Sequence, residues 1–283
     1  MAPRHISVHP ISGALGAQID GVDLSIPLDD AAFEEIRTAF HEHLVIFFRD
    51  QDIAPDLYLA FAKRFGPIGR YPFVQDMDGH PGITEVIKGK DDRVNFGGLW
   101  HSDTTYQDRP PLGSMLYARE VPPHGGDTLF ANMYMAYETL SAGMRMMLDP
   151  LRAFYTAALR NQAGSGPRAQ IAKMTGKGQN AESMDREAVH PVVRTHPETG
   201  RKALYVNCAH TSHFAGMTRE ESLPILRFLF EHQSRPEFTC RFRWRENSLA
   251  FWDNRCTHHY ALNDYHGFRR LMHRITIEGE TPV

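Results

Sequence analysis

The sequence is poor in the features that would send it to a membrane, to an oxidising compartment or to nucleic acid. Its three cysteines, Cys208, Cys240 and Cys256, are widely spaced and odd in number, too few for a disulfide framework, and read as reduced thiols. There is no apolar run of 18 residues and no signal-peptide pattern, so neither a membrane span nor a secreted precursor is expected and a cytoplasmic location is. A net charge of −3 leaves no basic footprint for nucleic acid. No internal repeat or linker-like tract divides the 283 residues, and 42% hydrophobic side chains suffice for one sizeable core. A single catalytic-size domain over 1–283 is the expectation.

What is present is a succession of short strand-like segments with few helices. Asp30 is expected to cap a helix whose apolar positions are Phe33, Ile36 and Phe40. Pro55 opens a second, with Leu57, Phe61 and Phe65 on one face and Gly66 ending it. Between them, the unbroken apolar run 44–48 reads as a buried strand. Further strands are expected at 114–119, 129–132, 188–194, 203–207, 238–244, 249–252 and 270–277, with a turn at 196–200 and a helix over 221–233 that contains Pro224. Many strands with outlying helices indicate a mainly β sandwich or barrel. The segment 161–187, rich in Gly, Ser, Lys, Asn and Gln, fits no strand and is expected to be a mobile lid.

His101-Ser102-Asp103 in mid-chain and His259 near the end offer two imidazoles and a carboxylate without any thiol. That donor set is the facial triad that holds Fe(II) and leaves three positions open. If the H-x-D is extended, period two places His101 and Asp103 side by side. With 16 histidines in the chain, an H-x-D arises about once by chance, so its context decides. That context is Trp100 and Thr104-Thr105-Tyr106 around the motif, then Gly125-Gly126-Asp127-Thr128, Trp252-Asp253-Asn254-Arg255, Thr257-His258-His259-Tyr260-Ala261, and Arg269-Arg270-Leu271-Met272-His273-Arg274.

In this order the motifs resemble the taurine/α-ketoglutarate dioxygenase family, which also includes alkylsulfatases and aryloxyalkanoate dioxygenases. The resemblance runs from 13–17 and 21–24 to the end of the chain. It implies a double-stranded β-helix, or jelly roll, with Fe(II), α-ketoglutarate and O2 as cofactor and cosubstrates. It further implies His101, Asp103 and His259 as catalytic metal ligands, the pattern Thr-x-His-x-Ala selecting His259 over His258. Arg270, eleven residues after His259, matches the family's cation for the distal carboxylate of α-ketoglutarate, and Thr128 matches its hydroxyl donor. Arg274 matches the arginine that binds the acidic group of the primary substrate. In an extended strand Arg270, Met272 and Arg274 share one face, the two arginines about 13 Å apart and able to serve different anions.

The implied reaction is hydroxylation of a small organic acid, a sulfonate, sulfate ester, aryloxyalkanoate or related carboxylate, with release of succinate and CO2 and fragmentation of some products. A homo-oligomer, dimer or tetramer, is also implied. The chain departs from the taurine pattern: Tyr71 stands where the taurine enzymes place a sulfonate-contacting His, and Gly97 where they place an amine-contacting Asn, with Asn95 two residues away. Tyr71, Asn95 and Tyr106 are therefore candidate lining residues of a different, more aromatic pocket. Two other readings stay open at this point, a non-oxidative metal-dependent hydrolase and a catalytically silent α-ketoglutarate sensor.

Overall fold

The computed structural model describes residues 5–70, 76–158 and 186–283. Its strands are β1 (Ser7–Pro10), β2 (Ala17–Asp20), β3 (Val45–Phe48), β4 (Ile68–Gly69), β5 (Asp76–Met77), β6 (His80–Lys88), β7 (Gly113–Glu120), β8 (Thr128–Asn132), β9 (Arg152–Thr156), β10 (Glu187–Pro191), β11 (Val193–Thr195), β12 (Lys202–Leu204), β13 (Thr211–Phe214), β14 (Thr239–Phe242), β15 (Leu249–Asp253), β16 (Thr257–Ala261) and β17 (Arg270–Ile277). The helices are α1 (Asp30–His43), α2 (Pro55–Lys63), α3 (Met133–Glu138), α4 (Ala142–Leu148) and α5 (Arg219–Gln233).

A large sheet runs β1-β2-β3-β15-β7-β17-β6-β5, with β4 added beside β17, and faces a small sheet β14-β8-β16. Together they form the jelly roll. Strand alternation builds its two cores. Phe47, Trp252 and Met272 point inward and meet Phe130 and Phe242 of the small sheet, the Phe47 and Phe242 rings stacking at 3.9 Å. Ile46, Phe48, Phe251 and Ile275 point outward and are covered by Ile36 and Phe40 of α1 and Phe61 of α2. Because β3 is buried on both faces, it needs the unbroken Val-Ile-Phe-Phe run; each such side chain contributes about 1.5–3 kcal/mol by leaving water.

Several local expectations need correction. The cap of α1 is Asp29, whose carboxylate accepts the Ala32 N–H at 2.7 Å, and Asp30 is already helical. The helix expected from 221 starts at Arg219, where Thr218 and Glu221 form a reciprocal capping box, and it continues through Pro224. The strand expected over 188–194 is two, β10 and β11, because the intervening Val192 N–H turns to the Leu151 carbonyl. Of the expected lid, 161–185 lie outside the described residues. Its last two positions are ordered: the Arg186 carbonyl accepts from Ala157, and Glu187 opens β10 opposite Thr156. Among the described residues no helix is long and apolar enough to cross a membrane.

Candidate active site

His101 reaches the site through a lone β-bridge to His259, reciprocated by His101 N–H to the His259 carbonyl (3.1 Å) and His259 N–H to the His101 carbonyl (2.8 Å). Asp103 already belongs to a turn, and Thr104 behind it has φ +42°. The extended H-x-D is thus corrected: a bridge and a turn, not period two, bring the side chains together. The Asp103 Oδ1 lies 3.7 Å from Nε2 of both His101 and His259, whose ring centroids are 4.2 Å apart. All three residues are buried.

The tautomer of His101 is fixed by its other nitrogen. Nδ1 lies 2.7 Å from the Leu99 carbonyl, which can only accept, so Nδ1 carries a proton and Nε2 is the nitrogen turned toward Asp103. Burial pushes the Asp103 carboxyl up, yet Arg274 and then His259 and His101 outweigh it and hold it well below the usual carboxylate range. Two imidazoles and a carboxylate converge here in a buried space, and that donor set suits Fe(II). His258 does not join them. It is buried elsewhere on β16, and burial pushes its imidazole down to about 3.

β17 carries both arginines on its inward face, with Met272 between them. Arg270 is 7% exposed, and its Nε and Nη2 have no hydrogen-bond partner among the described residues. Its guanidinium lies 5.6 Å from the Trp244 ring centre, and Trp244 Nε1 donates to the Thr128 hydroxyl at 3.0 Å, leaving that hydroxyl its own proton to donate. An arginine does not discharge by deprotonation, so a buried, half-unpaired guanidinium is satisfied by a carboxylate partner. That cation and the Thr128 hydroxyl, both set against Trp244, fit the distal end of α-ketoglutarate. Arg274 sits differently: its Nη2 is 2.5 Å from Asp103 Oδ2 and 3.1 Å from the Ser114 hydroxyl, tied to the carboxylate of the metal group.

The expected lining residues fare unevenly. The Asn95 amide nitrogen donates to the Ala261 (2.8 Å) and Leu262 (3.1 Å) carbonyls and so clamps the end of β16. Tyr106 is buried in the inner core with its ring against His210 at 5.0 Å, and His210 in turn lies edge-on to His101 at 6.0 Å. Tyr71 lies outside the described residues. Gly97 has φ +89°, and a Cβ there would stand 3.4 Å from Cε1 of His101, so the loop crosses beside the imidazole without a side chain.

Two features escaped the sequence reading. Ser114, on β7, donates to Asp103 Oδ2 at 2.8 Å, and a lone serine in a strand carries no spacing signal. The second is a buried group of His196, Asp253 and Cys256. There Arg255 grips both Asp253 oxygens (2.8 and 2.7 Å) and His196 Nε2 donates to Oδ2 (3.0 Å), while His196 Nδ1 accepts from Glu198 and Thr199. With these polar atoms already paired, the group is a brace at the turn that carries the chain from β15 in the large sheet to β16 in the small one.

The model of the taurine catabolism dioxygenase TauD, TfdA family matches residues 7–276. The chain belongs to that family. It is 36% identical to the alpha-ketoglutarate-dependent sulfate ester dioxygenase of Pseudomonas putida, over 98% of this chain and 91% of the relative. A taurine dioxygenase structure from Burkholderia xenovorans superposes with a TM-score of 0.83 at 35% identity, covering 99% of this chain and 93% of the other. The structure of AAD-2 in complex with Mn(II) and N-oxalylglycine matches with a TM-score of 0.80 at 30% identity, over 98% of each chain. This TauD/TfdA family member is thus an Fe(II)/α-ketoglutarate-dependent dioxygenase, and the hydrolase and silent-sensor readings are not favoured.

Proposed function

We propose that His101, Asp103 and His259 hold the Fe(II), that Arg270 and Thr128 take the distal carboxylate of α-ketoglutarate, and that Arg274 receives the acidic group of the primary substrate. When bound, the iron with α-ketoglutarate and O2 supplies the oxidant for a substrate C–H, and the cosubstrate leaves as succinate and CO2. The chain's own part is placement. Leu99 keeps His101 in the tautomer that presents Nε2, burial excludes bulk water, and Arg270 fixes the cosubstrate's far end. The observation that carries the reading is the buried Arg270 guanidinium with two nitrogens unpartnered among the described residues, on the same strand whose Arg274 contacts the His-Asp-His group.

The substrate class is a small organic acid: a sulfate ester first, with sulfonates, aryloxyalkanoates and related carboxylates beside it. Support comes from the Pseudomonas putida relative, named for sulfate esters, and from Tyr71 and Gly97, which depart from the taurine pattern. Hydroxylation of the carbon bearing a sulfate ester gives a product that collapses to an aldehyde and inorganic sulfate. The same reading places a single catalytic domain in the cytoplasm as a homo-oligomer, without nucleic-acid or membrane partners. The test is succinate formation by the Fe(II)-loaded protein against a panel of alkyl sulfates, alkylsulfonates and aryloxyacetates, taurine included. Substrate-stimulated succinate with at least one bulkier acid, and little with taurine, is expected. Iron binding with no α-ketoglutarate consumption across the panel would sink the proposal.

A further inference from the structure

Resting on Asp103 as a metal ligand, we infer that Ser114 and Asn254 are positioning residues that hold its carboxylate to one-oxygen ligation, keeping three positions at the metal open. The two Asp103 oxygens live in different surroundings. Oδ1 faces the imidazoles at 3.7 Å from each Nε2. Oδ2 faces away and accepts from Ser114 Oγ at 2.8 Å and Arg274 Nη2 at 2.5 Å.

The direction of the Ser114 proton follows by elimination. Its oxygen accepts from Asn254 Nδ2 (3.1 Å) and from Arg274 Nη2 (3.1 Å), so both lone pairs are engaged and its single O–H is left for Asp103 Oδ2. The Asn254 amide cannot flip to undo this. Its Oδ1 accepts from the Asp103 N–H (3.3 Å) and from Trp252 Nε1 (3.0 Å), two groups that can only donate. Asn254 also accepts the Ser102 hydroxyl on its backbone carbonyl at 2.6 Å, so one residue fixes the main chain and, through Ser114, the side chain of the ligand. Ser114 and Ser102 are fully buried, and Asn254 is 1% exposed, so no water competes for these bonds.

The arrangement matters because Arg274 has a second task. When its guanidinium engages an acidic substrate, Oδ2 loses one of its two donors. Ser114 remains, its proton still aimed. Without it, the carboxylate is able to rotate, present both oxygens to the metal and occupy a position that the chelating cosubstrate needs.

Ser114→Ala and Asn254→Asp test this in the full chain, the second variant because an aspartate keeps the shape of Asn254 but gives Ser114 a competing acceptor. The readouts are Co(II) affinity, the Co(II) absorption spectrum, and the affinity of the Co(II) protein for N-oxalylglycine, an unreactive analogue of α-ketoglutarate. Both variants should bind N-oxalylglycine about 10- to 100-fold more weakly while Co(II) affinity falls by a clearly smaller factor, with an altered Co(II) spectrum. Ser114→Thr, which keeps the hydroxyl, should recover analogue binding at least in part. Analogue affinity unchanged in both variants, or metal and analogue affinities falling by the same factor, would overturn the inference. Failure of the unaltered protein to bind Co(II) and the analogue would instead remove the reading of the site and this inference with it.

Discussion

At the scale of single residues, Arg270 has opposite consequences for folding and for function. A buried guanidinium with two nitrogens unpaired among the described residues opposes folding, so Arg270→Leu should leave the ligand-free protein as stable as before or more so in thermal melts. The same substitution removes a charge-assisted contact, about 2–5 kcal/mol, and should raise the KM for α-ketoglutarate roughly 30- to several-thousand-fold. A destabilised variant with unchanged KM would show that Arg270 is a structural cation. Arg274→Ala should weaken the primary substrate more than α-ketoglutarate. It should also loosen metal binding, since it strips a donor and a counter-charge from Asp103. The neighbouring histidines separate as sharply. His259→Ala should abolish Co(II) binding in an optical titration, whereas His258→Leu, which replaces a buried imidazole outside the His-Asp-His group, should retain it. Retained binding in the first with loss in the second would reverse the assignment. His259 was legible because Thr257 and Ala261 frame it; the unpaired state of Arg270 was not, because pairing depends on what the fold does not bring near.

At the scale of elements, the turn between β15 in the large sheet and β16 in the small one is braced from outside. His41 on α1 and Arg255 both bind Glu198, at 2.8 and 2.6 Å, and Arg255 hands the restraint on to Asp253 at the end of β15. The His41 hydrogen bond, helped by Arg255 against some burial, draws the Glu198 carboxyl down to about 2. A carboxylate depressed from its ordinary value near 4.5 contributes stability that is complete above that value and is lost as pH falls toward 2. Glu198→Gln should therefore be less stable than the parent at neutral pH and show a flatter loss of urea midpoint between pH 4.5 and 3. Since the Glu198 side chain is 38% exposed, the difference should be modest. Parallel pH curves for the two proteins would exclude this role. The sequence marked 196–200 as a turn from His-Pro-Glu-Thr-Gly chemistry alone, and nothing in that chemistry announces that Glu198 will meet a helix and the distant turn after β15.

At the scale of the molecule, the apolar runs and alternation in β3, β7, β15 and β17 were readable because both faces of these strands are packed. The strands β1, β2 and β13 were not, because, unlike the equally short β3, they have no unbroken apolar run to mark them. His101 defeats strand reading altogether, since a single bridge has no pattern. As the site draws on both sheets and the turn after His101, ligands that fill it should stabilise the whole chain. Mn(II) with N-oxalylglycine at about 100 times the dissociation constant contributes about 2.7 kcal/mol, so Tm should rise by several degrees, and excess chelator should reverse it. No shift, or the same shift in His259→Ala, would place the ligands elsewhere. The order of strands also sets a schedule on the ribosome. β7 lies between β15 and β17, both synthesised after it. At ~5–20 residues per second, about 130 residues must emerge after Glu120 before Leu249 opens β15, roughly 6–26 s. Throughout that interval the future centre of the large sheet has two bare edges and His101 has no partner strand. Yield in a cell is then governed by how well the half-made sheet is shielded from other nascent chains, a property that no measurement on the finished enzyme reports.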